Sequence, residues 1–279
     1  MGFIKEKIKE YYDLKPEKEY KEGLISPSML GGCPRVMWYT LKGVKKTTPP
    51  DTNAQQNFRV GHLWEAQISE YLYELGHLVY WWIDGMTERF IDKSKWGDTL
   101  RTDKWVDEDL GVAGTPDQVF IQDGKYVLLD TKTSSQDSAR YIAPLSDEEY
   151  WSTKGSKYRL QLGAYLLMAK RRYEMGLEKH KISYGKLVII SKDNGIIIKE
   201  PVLFLDAKLE KDVTDRINYL RSFINSNEIP PCECIIDSEH NRGKWMVSYC
   251  DYGDVDSIKP NSKKRMVPTR CCEAHINSK

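Results

Sequence analysis

The sequence predicts an α/β fold in which a central mixed β-sheet is flanked by helices, and three observations lead to it. Two apolar runs around a Gln-Asp-Gly-Lys turn predict a β-hairpin over residues 113–132. Two segments, 58–75 and 157–174, carry apolar residues at helical spacing. The predicted elements follow one another as helices, strand, hairpin, helix, strands and helix, an order typical of a single α/β core.

The segment before this core is predicted to be helical. Residues 1–22 have a helical pattern rich in Lys, Glu and Tyr. Ser26 followed by Pro27 predicts the start of a short helix, and a second helix is expected to begin at Pro34. A strand is predicted at 78–83, where apolar residues are continuous.

The second half of the chain adds strands and one more helix. A hairpin is predicted at 186–198 around the turn Lys192-Asp193-Asn194-Gly195, and residues 202–205 extend its sheet. Residues 207–226 form an amphipathic helix, whereas 136–156 have the composition of a loop.

Composition bounds the class of protein. The chain has 279 residues, is 40% hydrophobic and carries a net charge of +1, so a nucleic-acid binder of this kind must concentrate its basic residues locally. The sequence has no apolar run of membrane-spanning length and no signal peptide, which predicts a cytoplasmic protein with no membrane partner. In that compartment the six cysteines are expected to be thiols or metal ligands.

The predicted hairpin at 113–132 brings charged residues together. Asp130 and Lys132 are two residues apart and therefore point to the same face of their strand, with Asp117 across the turn. Two carboxylates and an ammonium can hold a divalent metal beside a positive charge, an arrangement common in phosphodiester cleavage. Taken alone, the same pattern also fits a surface lysine paired with Asp130.

Glu65 is the other notable acid, because it lies on or beside the apolar stripe of the helix at 58–75. Burying an unpaired carboxylate is costly. Glu65 is therefore either an edge residue that reaches solvent or an acid of a metal site.

Two groups of basic residues leave nucleic-acid contact open. Aromatic and basic side chains alternate before the helix at 157–174 and could stack on bases and touch phosphates, or be ordinary surface residues. They are Arg140, Tyr141, Tyr150, Trp151, Lys154 and Lys157. Lys170, Arg171 and Arg172 near the end of that helix fit the helix dipole as well as they fit DNA.

Four blocks, in order, resemble the PD-(D/E)XK nuclease superfamily, and within it the RecB-like exonucleases that include CRISPR-associated adaptation nucleases and phage exonucleases. They are Ser26-Pro27-Ser28 with Cys33-Pro34-Arg35 and Tyr39; Gly61-His62-Leu63-Trp64-Glu65; Gly114-Thr115-Pro116-Asp117 with Asp130-Thr131-Lys132; and Gln161-Leu162-Gly163-Ala164-Tyr165. A lone Asp…Asp-x-Lys pattern is common by chance, but four blocks in sequence are a specific signal.

The resemblance implies a restriction-endonuclease-like core at 58–228, after an N-terminal helical segment at 1–57 that contains Cys33 and before a cysteine-containing tail at 229–279 that packs back near Cys33. It implies a Mg²⁺- or Mn²⁺-dependent exonuclease that hydrolyses single-stranded DNA or DNA with free ends. Replication or recombination proteins are the expected partners, in a bacterial host or a phage-infected cell. The catalytic residues implied are Glu65, Asp117, Asp130, Lys132, Gln161 and Tyr165, and the metal ligands implied are Glu65, Asp117, Asp130 and the carbonyl of Thr131.

The chain departs from the family pattern beside Glu65. Many relatives have a histidine before the glutamate, whereas Trp64 stands there in this chain. His62 is two residues earlier, is expected on another side of the helix and is given no ligand role.

The cysteines are the second departure. Iron–sulfur relatives place one cysteine early, where Cys33 matches, and three close together late, where Met246 stands in place of one of them. The remaining candidate ligands are Cys232, Cys234, Cys250, Cys271 and Cys272. Four thiolates suit a [4Fe–4S] cluster or Zn²⁺, and three with His240 or His275 suit Zn²⁺. A site with free thiols is the third alternative.

A different functional class also stays open at this point. The same scaffold can serve as a DNA-binding or assembly component of a recombination complex, with a structural metal site in the tail. A zinc-binding regulatory protein, in which the cysteine tail is the functional part, is a further alternative.

Overall fold

The computed structural model describes residues 3–13, 23–47, 50–83, 93–231, 252, 258–260 and 266–268. Its elements, in chain order, are α1 (Phe3–Asp13), a 3-10 helix (Pro27–Met29), α2 (Pro34–Leu41), α3 (Thr52–Glu74), β1 (Leu78–Trp82), 3-10 turns (Lys93–Lys95 and Gly97–Thr99), β2 (Leu100–Arg101), β3 (Trp105–Asp107), β4 (Val112–Gly114), β5 (Gln118–Gln122), β6 (Lys125–Ser134), α4 (Gln136–Ile142), α5 (Asp147–Ser152), α6 (Ser156–Glu174), β7 (Ile182–Ser191), β8 (Ile197–Lys199), β9 (Val202–Leu203), α7 (Ala207–Ser226), β10 (Ile258–Pro260) and β11 (Met266–Pro268).

Seven strands form one mixed sheet, which confirms the predicted α/β class. Its order is β2-β1-β5-β6-β7-β8, and β9 also pairs with β7. The central pair β6–β7 is parallel, while β5–β6 and β1–β5 are antiparallel. The parallel connection from β6 to β7 runs through three helices, as a crossover between parallel strands requires.

Helices α3 and α6 cover opposite faces of this sheet. Val127 and Leu129 of β6 pack with Trp64 and Ile68 of α3. The intervening residues of β6 point to the other face, where Gln161 of α6 contacts Asp130. The end of β6 therefore lies between two helices, and each of them can direct side chains toward it.

Most of the predicted elements are present, and three predictions differ from the structure. The helices at 58–75, 157–174 and 207–226 are present as α3, α6 and α7, although α3 begins six residues earlier at Thr52. The first hairpin is β5–β6, beginning at Gln118, because residues 112–114 instead pair with Trp105–Asp107. The prediction of a loop at 136–156 is wrong.

That loop prediction failed because α4 and α5 are too short to display a clear helical period. Their starts are capped instead by single side chains. Ser135 Oγ accepts a hydrogen bond from the backbone N–H of Ser138, and Ser146 forms a reciprocal capping box with Glu149. These caps mark the starts of the two helices.

The chain divides into two compact units. One contains residues 25–31 and 58–217, and therefore the whole sheet; the other contains residues 1–24, 32–57 and 218–279. In the second of these units Cys33 precedes α2 and is buried, and Tyr252 packs against Trp38 and Tyr39. The domain division predicted from the sequence stays a prediction.

No helix in the described ranges combines the length and apolar character that a membrane span needs.

Candidate active site

The charged residues of the hairpin meet where β5 begins and β6 ends. Nζ of Lys132 lies 2.6 Å from Oδ2 of Asp130, as their predicted common face requires. Asp117 immediately precedes β5, and its Oδ2 accepts a hydrogen bond from the backbone N–H of Thr131 over 3.0 Å. Its own carbonyl accepts one from the N–H of Trp82 in β1. Three strands thus fix the position of these groups.

The Glu65 side chain is directed into this site and is mostly shielded from solvent. Its side chain is only 13% exposed, and its Oε1 accepts a hydrogen bond from the indole N–H of the buried Trp81. Nδ1 of His62 lies 3.6 Å from its Oε2. His62 was expected on a side of the helix other than that of Trp64, and it lies three residues before Glu65, which places it on the same helix face as that acid.

Trp64 has a structural role in this chain. It packs against the hydrophobic cluster that includes Val127 and Leu129, and a side chain added at Gly195 would collide with its ring. Trp64 is therefore partly buried against the core, and the charge of the next residue, Glu65, acts on Asp117.

A buried glutamine joins α3 to the strands. Gln118 is fully buried, and its Nε2 donates hydrogen bonds to the carbonyl of Glu65 over 3.0 Å and to Oγ of Ser69 over 2.7 Å. Its Oε1 lies 3.4 Å from Oγ1 of Thr131, which donates.

Helix α6 contributes the predicted Gln-x-x-x-Tyr pair. Nε2 of Gln161 donates to Oδ1 of Asp130 over 3.0 Å, and the hydroxyl of Tyr165 donates to the carbonyl of Thr115 over 2.8 Å. The two side chains are one turn apart, so both face the sheet. Gln161 contacts an acid directly, whereas Tyr165 secures the segment that leads to Asp117.

The electrostatics of the site are those of crowded, buried carboxylates. Desolvation, reinforced by the charge of Glu65, raises the pKa of Asp117 to about 6. Desolvation also raises the pKa of Asp130 to about 6, although Lys132 opposes that shift. The pKa of Lys132 is raised by the Asp130 and Asp117 carboxylates, which outweigh the effect of its own burial. Lys132 is therefore an ammonium, and the acids carry negative charge that is incompletely neutralised.

These donors suit a hard cation but do not form a complete ligand set. Oδ2 of Asp130 is buried, and the charged Nζ of Lys132 lies 2.6 Å from it. Carboxylate oxygens are the ligands that Mg²⁺ and Mn²⁺ prefer. Among the described residues, however, no three His, Cys, Asp or Glu side chains are grouped closely enough to hold a metal ion.

An aromatic ring continues from the site along α6. The ring of Tyr158 has Nζ of Lys132 5.6 Å from its centroid and Nζ of Lys157 4.5 Å from it. Both ammonium groups are within the range of a cation–π contact. Tyr158 is half-buried, so a basic and aromatic surface begins beside the catalytic candidates.

Three of the other residues considered for nucleic-acid contact have structural roles. Tyr150 and Trp151 are buried, and the indole N–H of Trp151 donates to the carbonyl of Val202. Arg171 forms a two-bond ion pair with the buried Asp107. The two aromatic residues are therefore not available to bases, and Arg171 is engaged by the Asp107 carboxylate.

Of the candidate cysteine ligands only Cys33 is described. The other five, with His240 and His275, lie outside the described residues, so the prediction of an iron–sulfur or zinc site stays a prediction.

Trp81, Gln118 and Ser69 are site residues that the sequence did not identify. Their types are ordinary for a buried strand and helix, and only the fold brings them to Glu65. One signal was present in the sequence: Gln118 is a polar residue at the start of an apolar strand, beside Asp117.

No protein-family model matches this sequence, and no curated protein matches it. Among solved structures, the chain is similar to one described as "Crystal structure of SSO0001", at 17% identity, covering 89% of this chain and 91% of that chain, with a TM-score of 0.41. A likeness at this level carries no argument about function. The resemblance to PD-(D/E)XK nucleases stays a prediction from the residues.

Proposed function

We propose that this protein is a metal-dependent deoxyribonuclease that hydrolyses phosphodiester bonds at the Asp117–Asp130–Lys132 site. The observation that carries the proposal is the meeting of the Asp117 and Asp130 carboxylates with Lys132, whose Nζ lies 2.6 Å from Asp130; burial raises the pKa of both acids to about 6, and the acids raise the pKa of the lysine above its ordinary value. This group of residues does not stabilise the fold, because a carboxylate whose pKa is raised in the folded state destabilises that state at neutral pH. Perturbed acids clustered with a fixed cation are typical of catalytic sites.

Asp117 and Asp130 would hold Mg²⁺ or Mn²⁺, assisted by the carbonyl of Thr131 and by Glu65 directly or through water. When bound, such an ion supplies Lewis acidity, which lowers the pKa of a coordinated water toward neutrality and offsets phosphate charge. Glu65 is kept in place by Trp81, and Asp130 by Gln161. These contacts restrict the carboxylates before any ligand arrives, which limits the reorganisation that the reaction would need.

Lys132 would act as a fixed positive charge and a hydrogen-bond donor. Its raised pKa keeps it protonated through the physiological range, so it is unsuited to accept a proton from water. An ammonium beside Asp130 can donate to a phosphate oxygen as negative charge builds there. The remaining two residues of the predicted set support this arrangement: Gln161 orients Asp130, and Tyr165 secures Thr115.

We propose DNA as the substrate and attack from DNA ends as the mode. The residues that resemble RecB-like exonucleases support the exonuclease mode. The basic and aromatic surface formed by Lys157 and Tyr158 supports contact with a nucleic-acid strand, since aromatic rings stack on bases and ammonium groups bind phosphates.

The test is digestion of end-labelled single-stranded and double-stranded DNA with Mg²⁺, Mn²⁺ or EDTA. We expect products shortened from one end only when a divalent cation is present, and no products from Asp130→Ala protein. A covalently closed circle is the control for end dependence. Tight DNA binding without cleavage in any metal would contradict the proposal that the protein is an enzyme. That result would favour the alternative, a DNA-binding or assembly component of a recombination complex.

We also propose that Cys33 and cysteines of the tail hold a [4Fe–4S] cluster or Zn²⁺, as the resemblance implies. Metal analysis of anaerobically purified protein tests this directly. Iron with inorganic sulfide and broad visible absorption indicates the cluster; zinc without visible absorption indicates the alternative. Protein with neither metal would mean that the cysteines are free thiols.

A further inference from the structure

We propose that Gln118 is a positioning residue that fixes Glu65 relative to Asp117 and thereby sets the affinity of the site for its divalent cation. This inference rests on the proposed function and adds to it a residue outside the predicted catalytic set. Gln118 carries no charge and need not touch a substrate. Its influence would pass entirely through the backbone of Glu65 and the hydroxyl of Thr131.

The hydrogen bonds of Gln118 span the three elements that build the site. From β5, its amide donates to the carbonyl of Glu65 and to Oγ of Ser69 in α3, and its oxygen faces Oγ1 of Thr131 in β6. The backbone N–H of Thr131 in turn donates to Asp117. One side chain therefore connects the helix that carries Glu65 with the strand that orients Asp117.

The anchor on α3 is specific. The carbonyl of Glu65 accepts from both Gln118 and the hydroxyl of Ser69, which is itself a partner of Gln118. Gln118, Ser69 and this carbonyl form a closed triangle at the turn of helix that bears the carboxylate. Gln118 and Ser69 are both fully buried, so water cannot replace a lost bond without a cavity.

Glu65 is thus held at two points. The triangle fixes its backbone, and the indole of Trp81 fixes its carboxylate. Glu65 and Asp117 are neighbouring acids whose negative charges repel each other, so they would move apart if α3 were free to move. Gln118 opposes this separation, because it holds the backbone of Glu65 against β5.

The strand offers a matched control. Gln122 lies four residues along β5, on the same face, and its Oε1 accepts from Nζ of Lys186 over 2.8 Å and from the hydroxyl of Tyr184. It is a glutamine bonded across the sheet at the end of the hairpin away from the acids. Substitution of either glutamine by methionine keeps side-chain length and removes the hydrogen bonds.

The experiment is calorimetric titration of Mn²⁺ into Gln118→Met, Ser69→Ala, Gln122→Met and unmodified protein without DNA, with thermal unfolding in EDTA as the measure of folding. We expect Gln118→Met to lose about 10–100-fold in Mn²⁺ affinity, the usual effect of removing a residue that orients a ligand. Ser69→Ala should lose less, because Gln118 keeps its bond to Glu65. Gln122→Met should bind Mn²⁺ like the unmodified protein.

The cleavage assay supplies a second readout. In Gln118→Met, kcat should fall at a fixed Mn²⁺ concentration while KM for DNA stays unchanged. Mn²⁺ affinity in folded Gln118→Met within about twofold of the unmodified protein would overturn the positioning role. If Gln118→Met does not fold, unchanged affinity in Ser69→Ala overturns it instead. If the unmodified protein cleaves DNA and binds Mn²⁺, the proposed nuclease function stands whatever the Gln118 variant does. If the unmodified protein neither binds Mn²⁺ nor cleaves DNA, both the nuclease function and the positioning role of Gln118 are wrong.

Discussion

Asp130 is contacted from two sides, by Nζ of Lys132 at 2.6 Å from Oδ2 and by Nε2 of Gln161 at 3.0 Å from Oδ1. Lys132 belongs to the same strand as Asp130. Gln161 belongs to helix α6 and follows Lys132 by 29 residues. Even with both partners, the pKa of Asp130 is raised by burial to about 6. The carboxylate is therefore oriented by two partners, while burial leaves its charged form incompletely stabilised.

The first prediction concerns Lys132. We expect Lys132→Met to be less stable than the unmodified protein by about 2–3 kcal/mol at pH 8, because breaking a buried pair leaves a charge without a partner. The partial exposure of Lys132, 23%, keeps the loss below that of a fully buried pair. The loss should shrink as the pH falls toward 4, since Asp130 then becomes protonated in the folded state. Urea unfolding at both pH values measures this.

The double variant Asp130→Asn with Lys132→Met is the control for that prediction. Removing both charges should restore most of the stability at pH 8, although neither protein should cleave DNA. A Lys132→Met protein as stable as the unmodified one at pH 8 would mean that Asp130 needs no counter-charge.

The second prediction concerns Asp117 and pH. The pKa of Asp117 rises from 3.8 to about 6 on folding, so the folded state binds more protons between these values and stability falls as pH rises through them. We expect Asp117→Asn to be more stable at pH 7.5 by about 1–2 kcal/mol. A shift of two pKa units corresponds to roughly 3 kcal/mol, but Asp117 keeps some exposed surface, which reduces the effect.

Asparagine suits this test because it retains an oxygen that can accept the hydrogen bond from Thr131. The gain should be absent at pH 4, where Asp117 is protonated in the folded unmodified protein. The same variant should lose DNA cleavage and the stabilisation that Mn²⁺ gives to the unmodified protein. Equal or lower stability of Asp117→Asn at pH 7.5 would contradict the raised pKa.

The sequence was sufficient for the parts of the site that lie close together along the chain. The period of a strand predicted the shared face of Asp130 and Lys132, and the period of a helix predicted that Gln161 and Tyr165 act from one side. The α/β class followed from the same periodicities. Each of these inferences needs only local geometry.

Contacts between distant segments were beyond local geometry. The burial of Glu65 depends on Trp81, and its backbone anchor depends on Gln118, which is 53 residues away. No periodicity states which buried tryptophan or glutamine will meet a helix across a sheet. Likewise, Tyr150 and Trp151 have the composition of a base-stacking surface, and only the packing of α5 places them in the core.

The third prediction concerns the close approach at Gly114. A Cβ atom there would lie 2.7 Å from Cδ of Pro27 and 2.8 Å from the hydroxyl of Tyr165. Gly114→Ala should therefore displace Tyr165 or the Pro27 segment, at a cost of about 1–3 kcal/mol, and should reduce cleavage because Thr115 leads directly to Asp117. Thermal unfolding and the cleavage assay measure the two effects.

Gly61→Ala is the matched comparison. The nearest atom to an added Cβ is Oγ1 of Thr133 at 3.7 Å, an ordinary contact, and Gly61 lies inside α3. Alanine should stabilise the helix by up to about 1 kcal/mol and leave cleavage intact. If both alanine variants behave alike, the close packing of Pro27, Gly114 and Tyr165 is not required.

The fourth prediction separates structural from DNA-binding roles among the basic residues at the end of α6. Arg171 donates from Nε and from a terminal nitrogen to the carboxylate of Asp107, which is 6% exposed, whereas Lys170 and Glu210 form an exposed pair. Arg171→Met should cost roughly 2–4 kcal/mol of stability, because it leaves a buried carboxylate without its partner. Lys170→Met should cost less than about 1 kcal/mol.

Measuring the DNA affinity of Arg171→Met shows whether Arg171 contacts DNA in addition to stabilising the fold. If Arg171 serves only to fix the β3–β4 hairpin, folded Arg171→Met should bind single-stranded DNA as tightly as the unmodified protein, with the same dependence on salt. Loss of a phosphate contact would instead weaken binding and reduce the slope of affinity against salt by about one ion. Fluorescence anisotropy at several salt concentrations distinguishes these outcomes, and Lys157→Met, beside Tyr158, is the variant expected to show the reduced slope.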